Sequence, residues 1–184
     1  MSDKKKDPME WEVLESEYLY KRPWLTARRD VVELPDGRIN KEYYVLEYPT
    51  WINVTAITKS GDMVMVRQYR HALGQTNFEI VAGVVEQGEE PIEAAKRELL
   101  EEAGYGGGEW REVAVISANP STTTNLTHCF LATGVEKVSV QHLDATEDIE
   151  VYLFKPEEVK EMIQKGELVQ SLMLVPLLKY FSGL

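Results

Sequence analysis

The sequence predicts an α+β fold, in which a mixed β-sheet lies between helices and a small β-rich segment precedes it. Short runs rich in β-branched residues at residues 52–58 and 63–69, on either side of a turn at 60–62, are typical of paired strands. A longer run, Pro91–Ala103, repeats its apolar residues at helical spacing. Strands that precede and separate such helices indicate a mixed sheet with helices on its faces.

The other elements follow from the same two periodicities, two residues for strands and 3.6 for helices. The helix Pro91–Ala103 has proline in its first turn and Gly104 as its C-terminal stop. Strands are further expected at residues 78–81, 110–117, 128–133 and 149–154, and helices at about 156–165 and 169–181.

The chain is expected to divide at about residue 48. Residues 1–48 are predicted to be a β-rich segment, aromatic and polar, with a turn at 34–38 between two strands. This segment is short for an independent core, so we expect it to pack against a second copy of the chain in a homodimer. Residues 49–184 are predicted to form the main domain.

Composition argues against several kinds of function. The 184 residues carry a net charge of −11, so no nucleic-acid partner is expected, because a sequence-independent binder needs a basic face. Cys129 is the single cysteine, which excludes an internal disulfide and a cysteine-rich zinc site. Neither a bilayer-spanning apolar run nor a signal peptide is predicted, and we expect a cytoplasmic protein with no membrane partner. Two glycosylation-type triplets, at residues 53–55 and 125–127, therefore carry little weight.

Three glutamates suggest the chemistry of the main helix. Glu98, Glu101 and Glu102 stand at positions i, i+3 and i+4, beside the apolar stripe that faces the core. Like charges at this spacing repel, and partial burial raises the cost further. Such carboxylate clusters suit Mg²⁺ or Mn²⁺, which take oxygen ligands. The alternative is a solvated acidic face, which is the commoner case for a glutamate-rich helix considered alone.

The residues around this helix favour the metal-binding interpretation. Residues 83–89 and 97–105 together satisfy the pattern G-x5-E-x7-R-E-U-x-E-E-x-G-U, where U is bulky and apolar. Seven fixed positions match by chance once in ~10⁷–10⁹ windows at ordinary residue usage. The pattern resembles the signature of the Nudix hydrolases, whose fold is α/β/α, although Tyr105 stands where an aliphatic residue is typical.

The resemblance implies roles for the matching residues. A divalent cation, Mg²⁺ or alternatively Mn²⁺, would be held by the carboxylates of Glu98, Glu101 and Glu102 and by the backbone carbonyl of Ala82 or Gly83. The catalytic set would include Glu101 and also Arg97, which would orient the neighbouring carboxylates. Glu89 would hold the loop before the helix.

Outside the signature, most of residues 40–184 resembles the branch of ADP-ribose and nucleoside diphosphate sugar pyrophosphatases. Residues 66–70 resemble its strand ending in arginine, and 78–83 resemble its approach to the signature, with Val81 in place of the usual proline. Pro120 lies fifteen residues past the signature, near a proline typical of the branch, which uses its N-terminal segment to build domain-swapped homodimers. The resemblance implies that the substrate is contacted by Arg29, Trp51, Arg70, Glu79, Pro120 and Ser121.

Several of these assignments have a second interpretation. Arg70 either clamps a phosphate or pairs with Glu79. Arg29 is a candidate for the diphosphate and Trp51 for stacking on the base, although aromatic residues are more often part of a core. Ser121 begins a hydroxyl-rich run where the branch often has a glycine-rich turn and a glutamate, so the identity of the sugar stays open.

The sequence therefore predicts an enzyme that hydrolyses the diphosphate bridge of ADP-ribose or a similar nucleoside diphosphate sugar, giving a nucleoside monophosphate and a sugar phosphate. Glu147, in an acidic loop, is expected to be the general base, and Asp144 is the alternative. The other interpretation is that the acidic residues of this loop are only solvated and have no catalytic role. A second hypothesis is hydrolysis of another diphosphate derivative, such as GDP-mannose or a dinucleotide. A third is a non-catalytic binding module of the same fold, which would be expected to lack the carboxylates.

Overall fold

The computed structural model describes residues 7–183, which fall into two compact units. The first unit contains the described residues up to Tyr48 together with Asn119–Asn125, and the second contains Pro49–Ala118 and the described residues from Leu126 onward.

The first unit is a three-stranded antiparallel sheet with the order β1-β2-β3. The segment Asn119–Asn125 belongs to it through backbone bonds with Leu46, which donates to the carbonyl of Thr122 at 2.7 Å and accepts from the amide of Thr124 at 3.1 Å. All of β1 is exposed within the unit. The strands are β1 (Glu12–Arg22), β2 (Leu25–Glu33) and β3 (Ile39–Glu47).

The second unit is built on an eight-stranded mixed sheet whose main path runs β11-β5-β4-β10-β8. Its centre is the parallel pair β4–β10, in which Trp51 lies opposite Thr127 and Asn53 opposite Cys129. The strands are β4 (Trp51–Thr58), β5 (Met63–Arg70), β6 (Gln75–Glu79), β7 (Val81–Val84), β8 (Tyr105–Gly106), β9 (Glu109–Ile116), β10 (Thr127–Lys137) and β11 (Ile149–Phe154).

The single strand expected at residues 78–81 is wrong. The chain instead changes partner at Ile80, because β6 pairs with β5 and β7 pairs with β4. Strands β4 and β5 pair with each other only at Ala56 and Ile57, and β6 and β7 occupy their remaining edges. This change of partner sets β7 beside the start of β4.

Three helices cover the two faces of this sheet, α1 (Pro91–Ala103), α2 (Pro156–Lys165) and α3 (Ser171–Ser182). Alternate residues of β5 enter different cores: Val64 packs with α1, and Met63 packs with α2 and α3. The mixed sheet between helices, with a separate small N-terminal sheet, agrees with the predicted α+β class. No helix within residues 7–183 has the length and apolarity needed to cross a membrane.

Local signals fix the ends of α1 where the sequence predicted them. Pro91 occupies the first turn, where its missing N–H costs nothing, and Gly104 caps the C-terminus with φ 69°. The Gly104 amide donates to the carbonyl of Leu100 at 2.8 Å. Leu99 is fully buried against the sheet, which holds the adjacent, glutamate-bearing flank in a fixed position.

Candidate active site

The three glutamates of α1 lie along one flank at the edge of the core. Glu102 is only 4% exposed, the Glu98 side chain is mostly buried, and Glu101 is the most open of the three. Glu102 accepts a long hydrogen bond of 3.4 Å from the backbone N–H of Ala82. The flank is therefore a partly buried platform against β7, and the solvated-face interpretation does not describe it.

Gly83 permits this close approach of helix and strand. A Cβ placed on Gly83 would lie 2.1 Å from the carboxyl carbon of Glu98, far inside van der Waals contact. A side chain at this position would displace the carboxylate. The absence of a side chain therefore sets the backbone of Ala82 and Gly83 directly beside the carboxylates.

Arg97 joins the helix to the loop that precedes it. Its guanidinium donates to Glu89 through Nε and Nη2, at 3.0 and 3.1 Å, and to the carbonyl oxygen of Val84 at 2.9 Å. Its Nη1 donates to Glu98 at 2.9 Å and to Glu101 at 3.0 Å. The planar guanidinium thus donates to five acceptor atoms and holds the segment before α1 against the helix.

Burial and mutual repulsion govern the charge of the site. Burial, followed by the charge of Glu98, raises the pKa of Glu102 to about 8, and burial likewise raises the pKa of Glu98. The hydrogen bonds from Arg97 lower the pKa of Glu89 and raise the pKa of Arg97 itself. One guanidinium therefore does not neutralise the buried carboxylates, and additional positive charge would stabilise their ionised form.

The donor set fits a divalent cation of the hard, oxygen-binding kind. Glu98, Glu101 and Glu102 supply carboxylate oxygens from one helix flank, and the Ala82–Gly83 backbone beside them carries carbonyl oxygens. Within residues 7–183 no three acidic, histidine or cysteine side chains already converge on one point. The reason is visible in the contacts, since Arg97 holds Glu98 and Glu101 while Glu102 turns to the Ala82 amide.

Arg70 pairs with Glu79, which was one of its two predicted roles. Nε and Nη2 of Arg70 donate to the two carboxylate oxygens of Glu79 at 2.9 and 2.5 Å, and Glu79 is 2% exposed. The pair leaves Nη1 of the guanidinium outside it. The charge of Glu102 acts on Arg70, so this cation lies near the carboxylate platform.

Glu147 lies in an exposed loop and accepts a hydrogen bond from the amide of Asp144 at 3.0 Å. Its charge is among the causes that raise the pKa of Glu102. The structure therefore brings Glu147 close enough to the platform to act on it electrostatically.

The remaining predicted contacts belong to the first unit. Arg29 pairs with Glu17 at 2.9 Å and approaches Glu42 at 3.7 Å. Pro120 and Ser121 are exposed in the segment Asn119–Asn125, where the Ser121 carbonyl accepts from the hydroxyl of Tyr43. These three residues lie in a different unit from the glutamate platform.

A cavity of about 230 Å³ in the second unit contains several of the predicted residues. Trp51, Arg70, Ala82 and Gly83 line it. Three polar residues that line it with them were not predicted from the sequence, namely Asn53, Thr127 and Gln170. For Asn53 the available signal was a polar residue inside the otherwise apolar strand β4. The two glycosylation-type triplets contain Asn53 and Thr127.

Fold and site together define a class: hydrolases that hold a divalent cation on a glutamate-bearing helix packed against a mixed sheet. A model of the NUDIX domain matches residues 49–172, and a model described as the nucleoside diphosphate sugar hydrolase N-terminal domain matches residues 11–46. The chain belongs to the Nudix family and is a Nudix pyrophosphohydrolase, as the sequence predicted. Enzymes of this family generally use divalent metals.

The chain is similar to curated proteins along most of its length. The ADP-ribose pyrophosphatase of Bacillus subtilis (strain 168) is 34% identical over 144 residues, which are 76% of each chain. The ADP-ribose pyrophosphatase of Mycobacterium tuberculosis (strain ATCC 25618 / H37Rv) is 30% identical over 173 residues, 92% of this chain and 82% of the relative.

A solved structure described as an ADP compounds hydrolase matches the fold with a TM-score of 0.83. The match covers 97% of this chain and 98% of the other at 18% identity, so it bears on the fold alone. The predicted α/β/α architecture is confirmed.

Proposed function

We propose that this enzyme hydrolyses the diphosphate bridge of ADP-ribose or a closely similar nucleoside diphosphate sugar, giving a nucleoside monophosphate and a sugar phosphate. The observation that carries the proposal is the platform of Glu98, Glu101 and Glu102 beside the Ala82–Gly83 backbone. Arg70 lines the same cavity as Ala82 and Gly83. The similarity to two ADP-ribose pyrophosphatases supports the choice of substrate.

The proposed cation is Mg²⁺, with Mn²⁺ as a substitute. The carboxylates of Glu98, Glu101 and Glu102 and the carbonyl of Ala82 would hold it, in keeping with the oxygen ligands that Mg²⁺ prefers. Such a cation supplies charge neutralisation for the diphosphate and acidifies water. Arg97 contributes by holding the glutamates in position through its hydrogen bonds to Glu98 and Glu101.

The protein's own groups account for binding and proton transfer. Arg70 is fixed by Glu79 and would direct its remaining N–H groups at a phosphate oxygen. Glu147 would accept the proton of the attacking water, since it is exposed and its charge acts on Glu102 of the platform. The leaving phosphate takes the electron pair of the broken P–O bond, and the water oxygen remains on the other phosphate.

The proposed assembly is a homodimer in which the N-terminal sheets pack together. The support is the row of large apolar side chains that β1 exposes, including Val13, Tyr18 and Tyr20. The substrate contacts predicted for Arg29, Pro120 and Ser121 belong to the first unit and stay predictions.

The decisive experiment is a screen of nucleoside diphosphate derivatives with Mg²⁺, in which a phosphatase releases phosphate from the monoester products. We expect turnover of ADP-ribose and related sugars, and none when a chelator replaces Mg²⁺. Turnover of no diphosphate compound would overturn the proposed function.

The metal assignment is tested by Glu102→Gln, which keeps the shape of the side chain and removes its charge. We expect turnover to fall at least about a hundredfold, because several kcal/mol of metal-derived stabilisation is lost. Glu93→Gln is the matched control, since Glu93 is exposed on the same helix and pairs only with Lys96 among the described contacts. Equal activity of the two variants would remove Glu102 from the metal site.

A further inference from the structure

The C-terminal end of α1 is joined to strand β11 by the side chain of Gln141. Its amide nitrogen Nε2 donates to the backbone carbonyl of Glu102 at 2.8 Å and to the backbone carbonyl of Ile149 at 2.9 Å. Because carbonyl oxygens only accept, these two bonds fix which end of the amide faces them and use both of its N–H donors. One half-buried side chain therefore ties the helix that bears the glutamate platform to the first residue of β11.

The neighbouring carbonyls at the end of α1 have partners from the same segment of chain. The amide of His142 donates to the carbonyl of Glu101 at 2.9 Å, and Nζ of Lys137 donates to the carbonyl of Ala103 at 2.7 Å. A helix leaves its last carbonyls without partners inside the helix, and this segment supplies them. These two bonds end at the helix, whereas the amide of Gln141 continues to β11.

The loop between α1 and β11 carries Glu147, the proposed general base. Leu143 packs against the core that α1 covers, and Ile149 is buried in the same core. The five residues between them, 144–148, are all exposed. The amide of Glu147 donates to the carbonyl of Asp144 at 3.0 Å, and the amide of Asp144 donates to the carboxylate of Glu147 at 3.0 Å. These bonds shape the turn, and the two ends of the loop set where the turn lies.

Gln141 therefore bears on both parts of the proposed chemistry. Glu102 is a proposed metal ligand, and Ile149 follows Glu147 by two residues in the chain. The side chain of Gln141 sets the distance between the helix backbone and this end of the loop. A general base must lie within hydrogen-bond reach of the proton that it accepts, so a small shift of the loop is enough to slow the reaction.

We propose that Gln141 is a positioning residue, which holds the loop of Glu147 at a fixed distance from the glutamate platform through its two amide bonds. The inference rests on the proposed function, because it takes Glu147 to be the general base. Both bonds go to backbone carbonyls, so Gln141 acts on the spacing of the two elements and not on a carboxylate oxygen. Its effect on the reaction is therefore expected to pass through Glu147.

The experiment compares two substitutions that each remove a side-chain donor to the end of α1. Gln141→Met keeps the length of the side chain and removes both N–H donors. Lys137→Met is the matched control, because Lys137 bonds the carbonyl of Ala103 and makes no bond to β11 among the described contacts. Gln141→Lys keeps N–H donors on a chain of similar length and is the rescue variant. Circular dichroism checks that each variant is folded.

Turnover is measured with ADP-ribose and Mg²⁺. We expect Gln141→Met to lower kcat at least about tenfold and to change KM less than about twofold, because the loop shifts while the groups that bind substrate stay in place. Lys137→Met should change kcat less than about twofold, and Gln141→Lys should recover most of the loss. In a Glu147→Gln background, Gln141→Met should lower kcat less than about twofold further, since a residue that acts through Glu147 has nothing left to position.

Amide hydrogen exchange, measured by mass spectrometry, gives a readout that needs no substrate. We expect the segment 142–149 to exchange faster in Gln141→Met than in the unmodified protein or in Lys137→Met. Three results would overturn the inference: unchanged exchange, an equal loss of kcat in the two methionine variants, or the full loss persisting in the Glu147→Gln background. A chain that hydrolyses no diphosphate compound would instead refute the proposed function, and faster exchange in that chain would retain the link between α1 and the loop.

Discussion

At the scale of single residues, the closeness of Gly83 to Glu98 is the tightest requirement of the site. We predict that Gly83→Ala lowers kcat/KM at least tenfold, because the added Cβ would lie 2.1 Å from the carboxyl carbon of Glu98. Gly106→Ala is the control, since Gly106 is also a strand glycine without positive φ and its added Cβ would meet, among the described residues, only Val138, at 3.1 Å. A folded Gly83→Ala enzyme with full activity would show that Glu98 tolerates displacement.

A second residue-scale prediction concerns Cys129. Burial raises the pKa of its thiol to about 11, so at pH ~8 only about one thiol in a thousand is the reactive thiolate. We expect iodoacetamide to leave Cys129 unmodified in the native protein and to modify it in urea, as measured by mass spectrometry. Because the folded state raises this pKa, any stability linked to the thiol is complete below pH ~9 and is lost as the pH rises towards 11. Rapid native-state modification at pH 8 would contradict this.

The residue scale also shows what the sequence could and could not predict. Glu98, Glu101 and Glu102 were predictable because helical spacing alone puts them on one flank. The shared cavity of Asn53 and Thr127 was not predictable, because it forms only through the parallel pairing of two strands that lie far apart in the chain. The local pattern of β4 marks Asn53 as a polar residue in an apolar run, but it carries no information about its neighbour.

At the scale of elements, Arg97 couples α1 to the loop before it. We predict that Arg97→Lys lowers kcat/KM about 10–100-fold, because an ammonium cannot serve Glu89, Val84 and the α1 glutamates together. The loss of these bonds should also lower the free energy of unfolding by about 1–3 kcal/mol, measured in urea.

Arg67→Lys is the control for this substitution. Arg67 is also a paired arginine, but it is exposed on β5 and bonds only Glu150 among the described side chains. An equal loss of kcat/KM in both variants would mean that replacing a paired arginine by lysine lowers activity wherever the arginine lies. The loss would then not be specific to the site.

The elements that were predicted well carry their own boundary signals. Proline and glycine define both ends of α1, and α2 likewise runs from Pro156 to a C-cap at Gly166. The strand expected at residues 78–81 was wrong because no local signal reveals a change of partner at Ile80. The strand boundaries around Ile80 are set by tertiary pairing, which residue propensities do not describe.

At the scale of the whole molecule, we predict a homodimer with about twice the 21.0 kDa mass of the chain in light scattering. Strand β1 lies at the edge of its sheet and exposes large apolar side chains, including Leu14 at 47% and Tyr20 at 61%. The double variant Leu14→Glu/Tyr20→Glu should shift the mass to that of a monomer. Val140→Glu, at an apolar position of similar exposure in the second unit, should leave it unchanged.

The parallel pair β4–β10 also has a consequence for the order in which the enzyme forms. It joins Trp51 to Thr127, so a long loop must close before the first bond forms, whereas the glutamate helix needs only local contacts. We expect pulse-labelled hydrogen exchange during refolding to show α1 amides protected before those of β10. The helix that carries the cation platform would then form before the cavity that Thr127 lines. A partly folded chain would therefore have its metal-binding glutamates in place before the cavity is complete.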